Sequence, residues 1–162
     1  MPAALQTVMT SWAVYYADHQ LASAIVRYLH LAGLLVGGGT ALAIDRQVLL
    51  SARRGMGARA SAVAALDGSH AVVVPALALV VATGVLMALA DLSTFLDSGV
   101  FWFKMAAVGL LLANGAGLVV SERAFLRSGA VVAWRRLVVA SGVSFVLWLV
   151  ILWLGAWLTV AA

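Results

Sequence analysis

The charged residues of this 162-residue chain are confined to short segments between long apolar stretches. Eight of the ten Lys and Arg residues lie in two gaps, 45–59 and 122–136. Only 10% of the residues are charged and 65% are hydrophobic, whereas a soluble domain has about 25% charged residues. No soluble fold hides so much apolar chain from water, so the sequence predicts an all-α integral membrane protein.

Four apolar segments have the length of about 20 residues that a helix needs to cross a bilayer. We predict spans at 21–44, 69–90, 100–120 and 137–160, which together make 21–162 one up-down four-helix bundle in contact with the lipid bilayer. The Ala-rich stretch from Ala58 predicts that the second helix begins before its membrane span. Residues 1–20 are predicted either to lie in the membrane interface or to extend the first helix.

The positions of the basic gaps predict the orientation of the bundle. Both gaps follow odd-numbered spans, and cytoplasmic loops are the ones rich in Lys and Arg. The gap after the second span holds Asp91 and Asp97 and no basic residue, which suits the opposite face. The expected location is a bacterial inner membrane with the N- and C-termini on the periplasmic side. The basic residues then face lipid headgroups, and no nucleic-acid partner is expected.

Several kinds of chemistry are excluded by residue type. The chain has no cysteine, which removes disulfides, thiolate catalysis and iron–sulfur clusters. The Gly37-Gly38-Gly39 run lies within an apolar span and not after a strand, so it is not a phosphate-binding loop. Asp45 and Glu122 are interpreted as markers of span ends, which leaves no pair of carboxylates inside the membrane. We therefore predict no catalytic residue and leave enzyme activity undecided.

His30 is the leading candidate for a site, because an ionisable side chain inside a membrane helix usually faces the bundle interior or a cavity. Gly33 and Gly37 follow at three and seven residues, on the same helix face. An imidazole beside exposed backbone suits a haem b, with His30 as iron ligand and the glycines admitting the ring. The alternative is that Gly33 and Gly37 serve close helix packing and that His30 bonds to a neighbouring helix.

His70 is a second candidate metal ligand, with Asp67 one turn earlier to orient its ring. A haem shared between His30 and His70 is disfavoured by depth. With a rise of about 1.5 Å per residue, the two side chains lie on the order of 20 Å apart across the membrane. Axial ligands of one iron must converge within a few ångströms, so we treat the two histidines as separate sites.

Several other side chains are predicted near the depth of His30. Met87, Lys104 and Met105 lie toward the same membrane face, and Arg27 lies one turn beyond His30. Lys104 and Arg27 would form a cationic rim for a haem propionate, or else extend to the headgroups. Met87 is a candidate second axial ligand. Both methionines with His30 also suit copper, since thioethers bind Cu(I).

Short motifs in the first three spans are similar to a group of small bacterial membrane proteins distantly related to the copper-resistance D family. They are Tyr28 to Gly38 in helix one, Ala82-Thr83-Gly84 in helix two and Phe101 to Met105 opening helix three. The resemblance covers about 24–120. It implies a four-helix bundle with an important His and Lys, which are His30 and Lys104 in this sequence.

Three functional hypotheses follow. The first is a b-type haem protein that passes electrons as a subunit of a larger redox assembly. The second is a non-catalytic subunit that packs against a protein partner or another copy of itself through its small-residue faces. The third is passage of copper or a small molecule. The Trp residues of the last span, Trp148, Trp153 and Trp157, are expected to anchor it at the lipid interface.

Overall fold

The computed structural model of the chain describes residues 3–161, which fold into helices with no strand among them. Four continuous helical segments, Gln20–Ser51, Met56–Ala90, Gly99–Ser128 and Val131–Val160, are long and apolar enough to cross a membrane. This confirms the predicted all-helical membrane fold. The helices are α1 (Ala3–Asp18), α2 (Gln20–Gly33), a π-helical turn (Leu34–Gly38), α3 (Gly39–Ser51), α4 (Met56–Ala90), α5 (Leu92–Asp97), α6 (Gly99–Ser128) and α7 (Val131–Ala161).

The bundle has a basic end and an acidic end. Short connections after α3 and after α6 lie at one end, close to the eight arginines of the two basic gaps, and we call this the basic end. The left-handed conformation of Gly129, φ 60°, closes α6 there. The short helix α5, flanked by Asp91 and Asp97, lies at the acidic end. The two basic gaps thus share one face, as the charge pattern predicts.

The predicted spans lie within longer helices. Helix α4 begins at Met56, as its Ala-rich start predicts, and continues through Pro75 to Ala90. The first span also continues beyond its predicted end, because α3 runs to Ser51. Asp45 is therefore inside a helix and only 3% exposed, not at the start of a loop. A single buried charge does not stop a helix whose neighbours protect it from lipid.

The N-terminal helix α1 is a separate element and not an extension of the first span. The chain leaves helical geometry at His19, with φ −107° and ψ 83°, and turns back. The indole Nε1 of Trp12 donates a hydrogen bond to the carbonyl of Leu86, 2.9 Å away near the acidic end of α4. Tyr16 of α1 is also buried, and its hydroxyl donates to the carbonyl of Ser23 in α2 at 3.4 Å. Helix α1 thus packs beside the acidic end of the bundle.

Two apolar clusters fill the bundle, one in each half. The cluster toward the basic end is built around Val48, Val63 and Leu137, none of which is more than 1% exposed. The cluster toward the acidic end includes Leu111, Ile151 and Trp148. Its Trp148 is only 4% exposed. The expectation that Trp148 anchors the last span at the interface is therefore wrong, whereas Trp153 and Trp157 are exposed as expected.

The π-helical turn separates α2 from α3 in the middle of the first span. It contains Gly37 and Gly38, and both are buried against different helices. Gly37 faces Ala76 of α4, while Gly38 faces the ring of Trp148 in α7. A wide π turn is often found at functional sites. Here it allows one helix to pack closely on two neighbours at one level.

Candidate functional sites at the two ends of the bundle

The imidazole of His30 is held by α4. Its Nδ1 lies 3.0 Å from the hydroxyl oxygen of Thr83. The hydroxyl proton of Thr83 is directed to the carbonyl of Leu79 at 2.7 Å, so the oxygen accepts from His30 and Nδ1 carries the proton. The carbonyl of Val80 also lies beside the ring. In the neutral imidazole, Nε2 therefore keeps its lone pair free.

Gly84 makes room for this ring. A Cβ atom at position 84 would lie 3.3 Å from Cε1 and 3.7 Å from Nδ1 of His30, so a side chain there would press on the imidazole. Thr83 thus accepts a hydrogen bond from the ring, and Gly84, which has no side chain, allows the ring to pack against the backbone of α4. Both belong to the Ala82-Thr83-Gly84 segment, and the sequence alone did not identify either of them as a neighbour of His30.

Gly33 and Gly37 pack against α4 directly. A Cβ on Gly37 would lie 2.7 Å from the Cβ of Ala76, and one on Gly33 would lie 2.8 Å from a methyl carbon of Val80. Carbon atoms in contact normally lie about 3.5–4.0 Å apart. This is the geometry of the packing alternative, and the partner helix belongs to the chain itself. A role of these glycines in admitting a cofactor stays a prediction.

Lys104 faces Gly155 of α7 at the same end of the bundle. It is half-buried on α6, and Gly155 of α7 is so close that a Cβ there would lie 3.5 Å from Nζ. The ammonium group is also close enough to His30 to interact with it electrostatically. The structure therefore brings His30 of α2, Thr83 of α4 and Lys104 of α6 toward one region.

The remaining predicted ligands are placed less closely. Met87 is half-buried one turn beyond Thr83 on α4, on the helix side that holds His30. Met105 is 38% exposed at the surface of α6. Arg27 is exposed one turn beyond His30. No described contact joins either methionine to His30, and their roles as ligands stay predictions.

His70 belongs to a second group at the basic end. Thr83, the partner of His30, is thirteen residues from His70 in the continuous helix α4, or about 20 Å at about 1.5 Å per residue. The two histidines are therefore far apart along the bundle, as the helical rise predicts. Around His70, the ligand atoms of Asp67, His70 and Glu122 lie within 4.8 Å of one another. The sequence identifies Asp67 and His70 as candidates. It does not identify Glu122, whose charge instead predicts the end of a span.

A third polar group lies between α3 and α7. Asp45 of α3 is buried beside Ser141 and Ser144 of α7. Within the described residues, Asp45 Oδ2 and the hydroxyl of Ser141 have no hydrogen-bond partner of good geometry. The sequence predicts Asp45 and Glu122 at the ends of spans, whereas the structure buries both of them against neighbouring helices. The signal available in the sequence was that Ser141 and Ser144 share one face of α7.

We expect Asp45→Asn to raise the melting temperature of the detergent-solubilised protein. A neutral amide costs less to bury than a carboxylate, and an unsatisfied buried polar group costs about 1–3 kcal/mol. Thermal unfolding monitored by circular dichroism measures the change. Asp97→Asn is the matched control, because Asp97 is exposed and its substitution should leave the melting temperature unchanged. A lower melting temperature for Asp45→Asn would show that the serines require the charged carboxylate.

The fold defines the class of protein: a multi-pass membrane protein whose four spanning helices form one bundle. Polar groups are buried at three places in that bundle. Comparison with protein-family models, curated proteins and solved structures gave no match for the chain.

Proposed function

We propose that the chain binds one haem b through Nε2 of His30 and passes electrons as a subunit of a larger redox assembly. The observation that carries the proposal is the hydrogen bond from His30 to Thr83. Histidines that bind metals almost always donate their other ring N–H to a neighbouring acceptor, which fixes the tautomer and the ring orientation. His30 has this arrangement, and its half-buried ring can be reached from outside the packed core.

Charge near His30 supports the same assignment. Haem carries two propionates, and Lys104 is a half-buried cation close to the imidazole. Arg27, one turn from His30 on α2, is the second cation in this half of the bundle. Eight of the ten basic residues are near the other end, so these two are the exceptions to the charge pattern. Propionate binding gives a reason for their positions.

The chain offers His30 as one iron ligand and Met87 as a possible second, so the haem iron could be bound by one or by two protein ligands. Met87 is the candidate second axial ligand, since Met with His is an established ligand pair. The haem supplies one-electron chemistry when it is bound. The protein residues would position it: His30 would bind the iron, Thr83 would orient His30, and Lys104 and Arg27 would hold the propionates.

The experiment is an optical spectrum of protein purified in detergent from haem-replete cells. We expect a Soret band and a pyridine haemochrome of haem b, both lost in His30→Ala. Thr83→Val should lower haem affinity by roughly 10- to 100-fold, the usual cost of losing an outer-sphere partner. His19→Ala is the matched control, because His19 is an exposed histidine between α1 and α2 and its loss should leave the spectrum unchanged.

Two results would overturn this proposal. The first is a colourless preparation that does not take up added haem. The second is a haem spectrum that persists in His30→Ala. Copper analysis of the same preparations separates the alternative metal: one copper per chain without haem, lost in both His30→Ala and Met87→Leu, would assign these side chains to Cu(I).

A further inference from the structure

We infer that Asp67, His70 and Glu122 form a binding site for one divalent transition-metal ion at the basic end of the bundle. This site is independent of the haem proposal. Asp67 and His70 lie one turn apart on α4, and Glu122 reaches them from α6. Their three ligand atoms lie within 4.8 Å of one another.

The state of Glu122 is the first argument for an ion. This residue is 2% exposed, and burying a carboxylate costs several kcal/mol unless it is paired and hydrogen-bonded. Oε1 is buried without a hydrogen-bond partner among the described residues. Oε2 is 3.7 Å from Nε2 of His70, too long for a hydrogen bond. The carboxylate is thus turned toward the histidine but is not satisfied by it.

The neighbouring cation does not resolve this problem. Arg123 follows Glu122 directly on α6 and is close enough to interact with it electrostatically. Its side chain is exposed, and among the described residues no Lys or Arg nitrogen lies within ion-pairing distance of the Glu122 carboxylate. With a neutral His70, the group Asp67, His70 and Glu122 carries two negative charges when both carboxylates are ionised. A divalent cation neutralises these charges and gives Glu122 a bonding partner.

The spacing of the ligands is close to that of a metal site. In a tetrahedral site with bonds of about 2.1 Å, neighbouring ligand atoms lie about 3.4 Å apart. The His70–Glu122 distance of 3.7 Å is already near this value. Asp67 is exposed and His70 is half-buried, so small side-chain rotations bring their ligand atoms inward. The open side also leaves room for a water molecule as a fourth ligand.

The ligand types select the class of ion. One imidazole nitrogen with two carboxylate oxygens suits Zn²⁺, Mn²⁺ or Fe²⁺, whereas Cu(I) prefers sulfur ligands. Helix α4 packs mainly against α2, the π-helical turn and α3, whereas α6 packs mainly against α7. A bound ion would therefore join α4 to α6 directly and stabilise the basic end of the bundle.

The test is Zn²⁺ and Mn²⁺ titration of the full chain, purified in detergent and stripped with EDTA, by calorimetry and elemental analysis. We expect one ion per chain and a rise in melting temperature when it binds. Glu122→Gln and His70→Ala should weaken binding by more than the roughly 10- to 100-fold that loss of an outer-sphere partner costs. His30→Ala and Asp91→Asn should bind as the wild type does, which separates this site from that of His30.

The stability of Glu122→Gln shows whether any loss of metal binding comes from the missing ligand or from misfolding. In EDTA it should be at least as stable as the wild type, because an amide replaces a buried carboxylate, yet its melting temperature should not respond to Zn²⁺ or Mn²⁺. Two results overturn the inference. One is the absence of saturable one-to-one binding of either ion by the wild type. The other is equal binding by Glu122→Gln.

Discussion

Gly37→Leu is expected to prevent the bundle from forming. Even the Cβ atom of the new side chain would lie 2.7 Å from the Cβ of Ala76, on the rigid backbone of α4. Overpacking by small groups costs about 1–3 kcal/mol, and Leu adds three more carbon atoms at the same place. The protein should be lost from the monodisperse peak in size-exclusion chromatography. Gly37→Ala should fold but melt at a lower temperature.

A second substitution shows whether the contact itself is responsible. Ala76→Gly removes the atom that Gly37→Ala would meet, so the double variant should recover much of the lost stability. Gly39→Ala is the matched control two residues away, because a Cβ there meets nothing within 4 Å. Gly39→Ala should be neutral or stabilise the helix by roughly 0.5–1 kcal/mol. Equal destabilisation by Gly37→Ala and Gly39→Ala would contradict the packing described for the π-helical turn.

Trp148→Ala is expected to cost about 3–5 kcal/mol, the range for a large aromatic side chain removed from a core. The ring is 4% exposed, lies within the apolar cluster toward the acidic end, and contacts Gly38. Its removal leaves a cavity between α7 and the first span. The loss should be measured as the free energy of unfolding in a mixed-micelle denaturation experiment.

Trp153→Ala is the control for Trp148→Ala on the same helix. Trp153 is 57% exposed and packs edge-on against Trp157, with ring centroids 4.8 Å apart. Its substitution should have a small effect on unfolding in detergent. If the two tryptophan variants lost equal stability, Trp148 would not be the core residue of the acidic half.

The helices could be predicted from the sequence because membrane spans have a simple signature. Apolar length alone marks each span, and the arginines of the two gaps place their connections at one end. The early start of α4 was also predictable, since Ala58 to Asp67 contains no helix breaker. These features depend on local composition, and local composition is what a single sequence reports.

The faces of the helices could not be predicted in the same way. In a soluble helix, an apolar stripe marks the buried side, but the lipid-facing and core-facing sides of α7 are both apolar. Trp148 and Trp153 therefore look alike in the sequence, although one is buried and the other is exposed. Asp45 and Glu122 are a related case. Their charge predicts the ends of spans, yet both are buried against neighbouring helices, and the sequence does not show which helix faces are covered.

The candidate sites were predictable only in part. His30 and His70 are visible as histidines in apolar surroundings, and their separation follows from the helical rise. The partners that define each site come from other helices: Thr83 for His30, and Glu122 for His70. Which residues meet depends on the rotation and relative level of two packed helices, and no local pattern in this chain specifies either.

The π-helical turn has a consequence for permeation. At its level Gly37 is closed by Ala76 on one side, and Gly38 is closed by Trp148 on the other. These contacts fill the space between the first span and both neighbouring helices at mid-depth, between the region of His30 and the group around Glu122. Copper or a small molecule that crossed between the first span and either of these helices would have to displace the turn. A ligand of His30 is therefore expected to approach from the acidic end or from the side of the bundle, and not along the first span from the basic end.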